Sequence, residues 1–228
     1  MPGIKDFVRG RIAPMADGFV KAAVTRAMNK YEELEREASA VARDENRSPI
    51  GKRKGLEDLV RKNAHEVVRI RKATESAKAR LAERIAKLQP PSADKTDAFA
   101  AATCIKVCEL FHAMSRGQRK VTLSTASLSY TQALLAAPVE LSGLDPELRE
   151  MAVTRAIDLA HPGKLAEIER VREDIQMLDV AARVLADMAR DVAQLPNNRA
   201  LDELISSAVT DTRHIDADIE HQTASLAA

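Results

Sequence analysis

The strongest constraint on the fold is a heptad pattern of apolar residues that recurs in four stretches of the chain. In each stretch, mostly small and branched apolar residues alternate at steps of three and four, which places them on one face of an α-helix. The four seams are Val20, Val24, Ala27, Tyr31, Leu34, Ala38 and Val41; Val60, Asn63, Val67, Ile70, Thr74, Ala77, Leu81, Arg84 and Leu88; Ile168, Val171, Ile175, Leu178, Ala182, Leu185, Ala189 and Val192; and Leu201, Ile205, Ala208, Thr212, Ile215, Ile219, Gln222 and Leu226. This repeat predicts helices that pack side by side at shallow angles.

Polar residues interrupt the apolar character of two seams. A polar residue in a seam costs stability and can fix register or partner choice. It can equally lie at an exposed or frayed turn, and the sequence leaves both alternatives open. The polar seam positions are Asn63, Thr74, Arg84, Thr212 and Gln222.

Composition agrees with a helical fold. Aromatic residues make up 3% of the 228 residues, Trp is absent, and 8 Gly and 9 Pro are too few for a protein of many strands and tight turns. We predict an all-α protein, an elongated antiparallel helical bundle or coiled coil of about six to seven helices. Its predicted parts are an N-terminal arm at 1–19, a basic helical hairpin at 20–89, apolar central helices at 94–160 and an acidic C-terminal helical hairpin at 164–228.

Proline and capping residues predict where the central helices begin and end. Pro90 and Pro91 are expected to end the helix of the second seam, and Ser92 or Asp94 to cap an apolar helix over 94–116.

Further along, Asp145 followed by Pro146 is a typical helix start. The segment 121–138 alternates like a strand in its first half and has a helical composition in its second half. We favour a helix there.

Charge is distributed unevenly, although the whole chain has a formal net charge of only +1. Residues 43–87 include 14 basic and 7 acidic residues, a net charge of +7, whereas residues 139–228 include 9 basic and 18 acidic residues, a net charge of −9. Opposite charges beside helical seams select helix partners. One interpretation therefore pairs the basic helix 56–88 with the acidic C-terminal helices, within one chain or between subunits.

The other interpretation is that the basic segment contacts nucleic acid or another acidic partner. The candidate contacts are Arg47, Lys52, Arg53, Lys54, Arg61 and Lys62, with Arg69, Arg71 and Lys72 further along the helix. Such cations neutralise phosphates, but no aromatic residue lies between positions 43 and 87 to stack on bases. No known motif that reads DNA or RNA accompanies the charge, so the sequence favours helix pairing or a solvated face.

Two groups of residues have the spacing of metal ligands on a helix. Cys104, Cys108 and His112 recur every four residues, but free cysteine is among the most buried residue types, so we predict core packing. Asp211, His214, Asp218 and His221 step by 3, 4 and 3 along the last predicted helix, as ligands do in helical bundles. The facing seams offer no matching carboxylates, so we predict a solvated stripe, and a helical-bundle metalloprotein is the lesser alternative.

Other motifs of chemistry and targeting are missing from the sequence. It contains no Gly-rich phosphate loop, nucleophile elbow or zinc-protease pattern, so we predict no catalytic residue, no metal and no cofactor. Charged residues interrupt the first 19 positions, and two cysteines cannot form a disulfide framework, which indicates a cytoplasmic protein. No apolar run is long enough to span a membrane. A membrane-active hairpin at 94–139 ranks last, because Lys106 and Glu109 are costly in lipid.

These observations favour a non-catalytic helical interaction or structural protein that self-associates or docks on a larger assembly. A coiled-coil adaptor and a component of a virion, secretion or scaffold assembly fit equally well. The main alternative is a nucleic-acid-associated helical protein that uses the basic segment 47–87. Because architecture alone does not define function, the partner decides between them.

Overall fold

The structure is a computed structural model that describes residues 4–88 and 98–225. These residues form eleven α-helices and no strand, so the predicted all-α class is confirmed. The helices are α1 (Ile4–Ile12), α2 (Gly18–Arg43), α3 (Pro49–Lys87), α4 (Ala98–His112), α5 (Arg116–Thr125), α6 (Leu128–Ala136), α7 (Val139–Ser142), α8 (Pro146–Ala160), α9 (Lys164–Val192), α10 (Asn198–Ala208) and α11 (Arg213–Ser225). The predicted stops and caps at Pro90, Pro91, Ser92 and Asp94, and the seam residue Leu226, lie outside the described residues.

The described part of the chain contains more helices than the six or seven predicted, because caps and turns divide the predicted ones. Segment 121–138 is helical, as favoured, but the Ser127 hydroxyl accepts the Tyr130 N–H and starts a new helix there. The last predicted helix is interrupted at 209–212, where Asp211 accepts the N–H of Arg213. The remaining additions are α1, inside the predicted arm, and the short α7.

The chain forms two compact units. Unit 1 comprises Met1–Ala82 and Arg170–Ala228, and unit 2 comprises Glu83–Glu169. This division follows contacts in space. The four segments proposed from composition follow a different criterion and stay a prediction.

Seam residues supply most of the core of unit 1. Their buried members are Val20, Val24, Ala27, Leu34, Val60, Asn63, Val67, Ile70, Thr74, Ala77, Leu81, Val171, Ile175, Leu178, Leu185, Ala189, Val192, Leu201, Ile205, Ile215 and Ile219. The two buried polar members bond to carbonyls one turn earlier: Asn63 donates to Leu59 at 2.9 Å and Thr74 donates to Ile70 at 2.9 Å. Both alternatives for polar seam positions therefore occur, since Gln222 is exposed.

Cross-helix hydrogen bonds set the direction of α2 against α3 in unit 1. Arg26 binds Glu66 and Lys30 binds Asn63, so position rises along α2 as it falls along α3. The two helices are therefore antiparallel. Asp174 of α9 accepts the backbone N–H groups of Ala16 and Asp17 at 2.8 and 3.0 Å, which ties the turn before α2 to α9.

Unit 2 has an apolar core of its own. Helix α6 packs against α4 and α8, while α5 packs against α8 and α7 against α4. The buried cluster consists of Cys108, Phe111, Leu123, Leu134, Leu144, Leu148 and Ala152. The described residues of the unit leave one side of α4 and α7 uncovered.

Candidate interaction surfaces

An apolar groove runs between α4 and the chain from the end of α6 through α7. It encloses about 690 Å³ and is mainly apolar. Its lining residues are Cys104, Ile105, Cys108, Glu109, His112, Ala113, Ala136, Ala137, Pro138, Glu140 and Leu141. The volume lies in the range of ordinary ligand sites.

Large apolar side chains remain exposed at this groove. Ile105 is 61% exposed and Leu141 is 62% exposed. Leu110, Val121 and Val139 of the same unit are also at least half exposed. Ile105 and Leu141 line the groove, whereas the other three are not among its lining residues. Exposed apolar side chains at an apolar groove are typical of contact surfaces, whereas single exposed ones need no explanation.

A single arginine fixes the backbone around the groove. The guanidinium of Arg119 donates to the carbonyls of Phe111, His112 and Met114 at the end of α4, at 3.1, 2.6 and 3.0 Å. It also donates to the Gly143 carbonyl after α7, at 3.0 Å. Because helix ends leave carbonyls without intrahelical donors, this side chain satisfies several of them at once and links α4 to the end of α7.

Gly143 itself ends α7 in the left-handed conformation, with φ of 64°. A Cβ at this position would lie 2.8 Å from Nδ1 of His112. Both the backbone conformation and the close approach of His112 therefore require glycine here.

The predicted core packing of the two cysteines is confirmed. Cys108 belongs to the buried cluster, and Cys104 packs against it while its Sγ donates to the Ala133 carbonyl at 3.0 Å. Burial and the neighbouring Cys104 raise the pKa of Cys108 to about 11. That thiol is therefore protonated at neutral pH and is a poor nucleophile and a poor metal ligand.

Of the six basic residues predicted to contact an acidic partner, three are already bound within the chain and three are not. Arg47 pairs with Asp44 at 2.9 Å, Arg61 pairs with Glu57 at 2.7 Å, and Lys52 donates to the Ala42 carbonyl at 2.8 Å. The other three side chains form no hydrogen bond or ion pair with the described residues; they are Arg53, Lys54 and Lys62. They are exposed.

Basic residues further along α3 pair with the acidic C-terminal helices inside unit 1. Arg71 pairs with Asp202 of α10, and Lys72 pairs with Asp216 of α11, both at 2.6 Å. Arg69 pairs with Asp218, and Lys78 pairs with Asp179 of α9 at 2.9 Å. The predicted pairing of opposite charges is therefore confirmed within one chain for this part of α3.

The proposed metal-ligand stripe does not come together. Asp211 lies in the break before α11 and pairs with Arg213 at 2.7 Å, and Asp218 pairs with Arg69. His214 and His221 are exposed. Among the residues that the structure describes, no group of three or more His, Cys, Asp or Glu side chains is placed to hold a metal ion.

A second groove, of about 680 Å³, lies in unit 1 between α2, α3 and α11. Sequence reasoning missed its central ion pair, in which Arg26 donates two hydrogen bonds to Glu66 at 2.6 and 2.7 Å. The hydrogen bonds from Arg26 lower the pKa of Glu66, whose side chain is 8% exposed. Lys30 and Arg69 in the same groove also pair with carboxylates, so its charges are internally balanced.

No protein-family model, curated protein or solved structure matches this chain. Within residues 4–88 and 98–225, no helix combines the length and apolar character needed to cross a membrane. Fold and surfaces together define an all-α protein of two helical units, one of which carries an apolar groove.

Proposed function

We propose that this chain is a non-catalytic helical interaction protein and that the groove of unit 2 receives the apolar face of a partner helix. The observation that supports this function best is the exposure of Ile105 and Leu141 beside one continuous apolar groove. Amphipathic helices bind such grooves through residues spaced by three and four. Burial of these two side chains removes apolar surface from water, which is the main driving force of association.

The unpaired carboxylate at the groove defines the charge expected of the partner. Glu109 and Glu140 both line the groove; Glu109 pairs with Lys106 at 3.1 Å, and Glu140 forms no ion pair with the described residues. Charges at the edge of an interface mainly steer association and exclude wrong partners. The expected partner is therefore a helix with an apolar face and a basic residue beside it.

Selection from a displayed library of short helical peptides tests this proposal. We expect peptides enriched on the whole protein to share apolar residues at i, i+3 or i+4 and a flanking Arg or Lys. Their binding should weaken at least about tenfold in Leu141→Glu, because a charge would face the apolar floor. Selected peptides that bind Leu141→Glu as well as the original chain would contradict the proposal.

Ile50→Glu is the matched control for this experiment. Ile50 is 82% exposed and lies on α3, in unit 1, so the substitution adds the same charge away from the groove. Binding should be unchanged in Ile50→Glu. Circular dichroism of both variants checks that helical content is retained.

An adaptor, or a component of a larger assembly such as a virion, secretion or scaffold complex, would use the groove in this way. We also propose a cytoplasmic location, since the two thiols are unpaired with each other and buried thiols of this kind suit a reducing compartment.

Nucleic-acid binding is a second candidate function, supported by exposed cations in the first half of α3. Arg53, Lys54 and Lys62 form no ion pair with the described residues, although Lys62, after Lys30 and Arg36, helps to lower the pKa of Glu33. Phosphate binding by such residues is independent of sequence and weakens steeply with salt. A mobility-shift experiment with duplex DNA at low salt tests the idea, and the absence of a shift would exclude it.

A further inference from the structure

Helix α1 presents a partly exposed apolar and basic face, on which Phe7 and Arg11 line a groove of about 490 Å³ with residues of α9. Ile4 is 59% exposed and Phe7 is 50% exposed. Arg11 lies one turn beyond Phe7, with its guanidinium 5.7 Å from the centre of the Phe7 ring. Residues spaced by three and four lie on one face of a helix, so these three side chains form one surface, here named the α1 face.

Contacts with α2 hold α1 in place. Lys5 pairs with Glu35 at 3.1 Å and Arg9 pairs with Glu32 at 2.6 Å. Val8, which borders the α1 face, is fully buried. Because α1 is anchored by these contacts, the α1 face is ordered before any partner arrives, which lowers the entropic cost of binding.

The α1 face and the groove of unit 2 are complementary in chemistry. The groove offers an apolar floor with Ile105 and Leu141 beside it, and Glu140 at its edge has no ion-pair partner among the described residues. The α1 face offers two large apolar side chains, and Arg11 likewise forms no ion pair with the residues that the structure describes. Both surfaces expose apolar side chains, and the charges that form no ion pair on them, Glu140 and Arg11, have opposite signs.

We propose that the groove of one copy of this chain binds the α1 face of a second copy, with Phe7 in the groove and Arg11 paired with Glu140. The inference rests on the proposed function, because it assigns the occupant of the same groove. The contact joins two different surfaces, so a single contact leaves one groove and one α1 face unused. Repetition of the contact builds open chains or closed rings, and the smallest ring is a reciprocal pair in which each copy places its α1 face in the groove of the other.

Sedimentation of the full chain at several concentrations tests the first consequence. The weight-average mass should rise with concentration above that of one copy of 24.9 kDa, to two copies for a reciprocal pair and further for larger rings or chains. Phe7→Glu removes the α1 face and Leu141→Glu removes the groove, so each variant alone should sediment as a monomer. A mixture of the two variants retains one intact groove and one intact α1 face and should form a one-to-one dimer and nothing larger.

Charge exchange tests the pairing of Arg11 with Glu140. Arg11→Glu and Glu140→Arg should each weaken self-association about tenfold, because each places like charges together. The double variant Arg11→Glu/Glu140→Arg should restore it. Ile50→Glu, outside both surfaces, should associate like the original chain, and Ile4→Glu replaces Phe7→Glu if that variant loses helical content.

Several outcomes would overturn the inference. A monomer at all concentrations, or a mixture of Phe7→Glu and Leu141→Glu that fails to pair, would each exclude the proposed contact. If the original chain is a monomer but selected peptides still bind in a Leu141-dependent way, the groove serves another protein and only this inference fails. If neither peptides nor a second copy bind, the proposed function fails with it.

Discussion

At the residue scale, the ion pair between Arg26 and Glu66 is asymmetric in its surroundings. The Glu66 side chain is 8% exposed, whereas that of Arg26 is 44% exposed. When one partner is removed, a half-exposed guanidinium can turn to water, but a buried carboxylate cannot. The cost of losing the pair should therefore depend on which partner is removed.

We predict that Arg26→Met destabilises the protein by about 3 kcal/mol, because the buried Glu66 carboxylate loses both hydrogen bonds from Arg26 and is left with His65 at 3.3 Å and the charge of Arg69. Glu66→Met should cost less than about 1 kcal/mol, since Arg26 becomes solvated. Urea unfolding at neutral pH, followed by circular dichroism, measures both values. Equal losses in the two variants would show that Glu66 is not held in a buried state.

The same carboxylate gives a prediction for pH. The hydrogen bonds from Arg26 hold the pKa of folded Glu66 below its ordinary value of 4.5. The stabilisation is therefore fully present above the pKa of the unfolded state, about 4.3, and is lost as pH falls through the folded value. The stability difference between the original chain and Glu66→Gln should be constant from neutral pH to about pH 5 and shrink below that.

Two left-handed glycines provide a matched pair of substitutions in unit 2. Gly143 has φ of 64° with His112 close by, and Gly163 has φ of 78° with no described atom within 4 Å of a new Cβ. We expect Gly163→Ala to cost about 1 kcal/mol through the backbone alone. Gly143→Ala should cost about 2 kcal/mol or more, because the methyl group also displaces His112. Similar melting temperatures for the two variants would contradict the close approach of His112.

At the scale of helices, the heptad pattern correctly predicts which residues of a helix are buried, wherever other helices pack against the seam. The second seam is buried from Val60 to Leu81, since a strict alternation of three and four leaves one face for the core. Beyond that point Arg84 is exposed. The end of burial depends on which helices lie alongside, and periodicity carries no such information.

Helix breaks were the part of the fold that the seams could not reveal. The fourth seam continues across 209–212, but Thr212 and Asp211 bond locally to residues of the next turn. Short polar side chains that bond to nearby groups compete with helical hydrogen bonds. The run of Thr and Asp in this stretch was the available signal. The break removes Asp211 from the helical stripe, which was predicted to be solvated, with a metal site as the lesser alternative.

The groove of unit 2 was also beyond sequence reasoning. Ile105 and Leu141 are far apart in the chain, and an apolar helix over 94–116 predicts burial rather than exposure. The role of Arg119 could not be predicted either, because its four acceptors are backbone carbonyls. Every residue has such a carbonyl, so the sequence does not indicate which ones Arg119 binds. The charge pairing of α3, in contrast, could be predicted, since the two halves of the sequence carry opposite net charge.

Charge pairing between helices gives a prediction at this scale. Lys72→Glu should destabilise the protein by about 1 kcal/mol, because it places a carboxylate against Asp216. The exchanged double variant Lys72→Glu/Asp216→Lys should recover most of that loss. Lys54→Glu is the control, since Lys54 has no partner among the described residues. Thermal unfolding of these variants and the original chain measures the coupling, and a double variant as unstable as Lys72→Glu would show that the pair is not formed.

At the scale of the whole molecule, ion pairs formed on folding reduce the number of basic residues that are available to an external partner. The excess of 14 basic over 7 acidic residues at 43–87 is a sequence property. In the folded chain, Arg69, Arg71 and Lys72 are bound to acidic residues of the C-terminal helices. Exposed cations of α3 that form no ion pair with the described residues include Arg53, Lys54 and Lys62 in its first half, and we expect a nucleic-acid function to use these.

If the chain binds nucleic acid, substitutions of the exposed cations and substitutions of the ion-paired cations should have different effects. Replacing Arg53, Lys54 and Lys62 by Gln should lower affinity for duplex DNA and reduce the slope of log affinity against log salt by about 2 to 3, roughly 0.9 for each phosphate that is no longer neutralised. Replacing Arg69, Arg71 and Lys72 by Gln should instead lower the stability of unit 1 and leave the salt slope unchanged, because those side chains already bind carboxylates. Fluorescence anisotropy over a range of salt concentrations measures the slopes. Equal effects of the two sets on binding would mean that the ion pairs of α3 open when DNA is present, and the assignment of external contacts to the first half of α3 would be wrong.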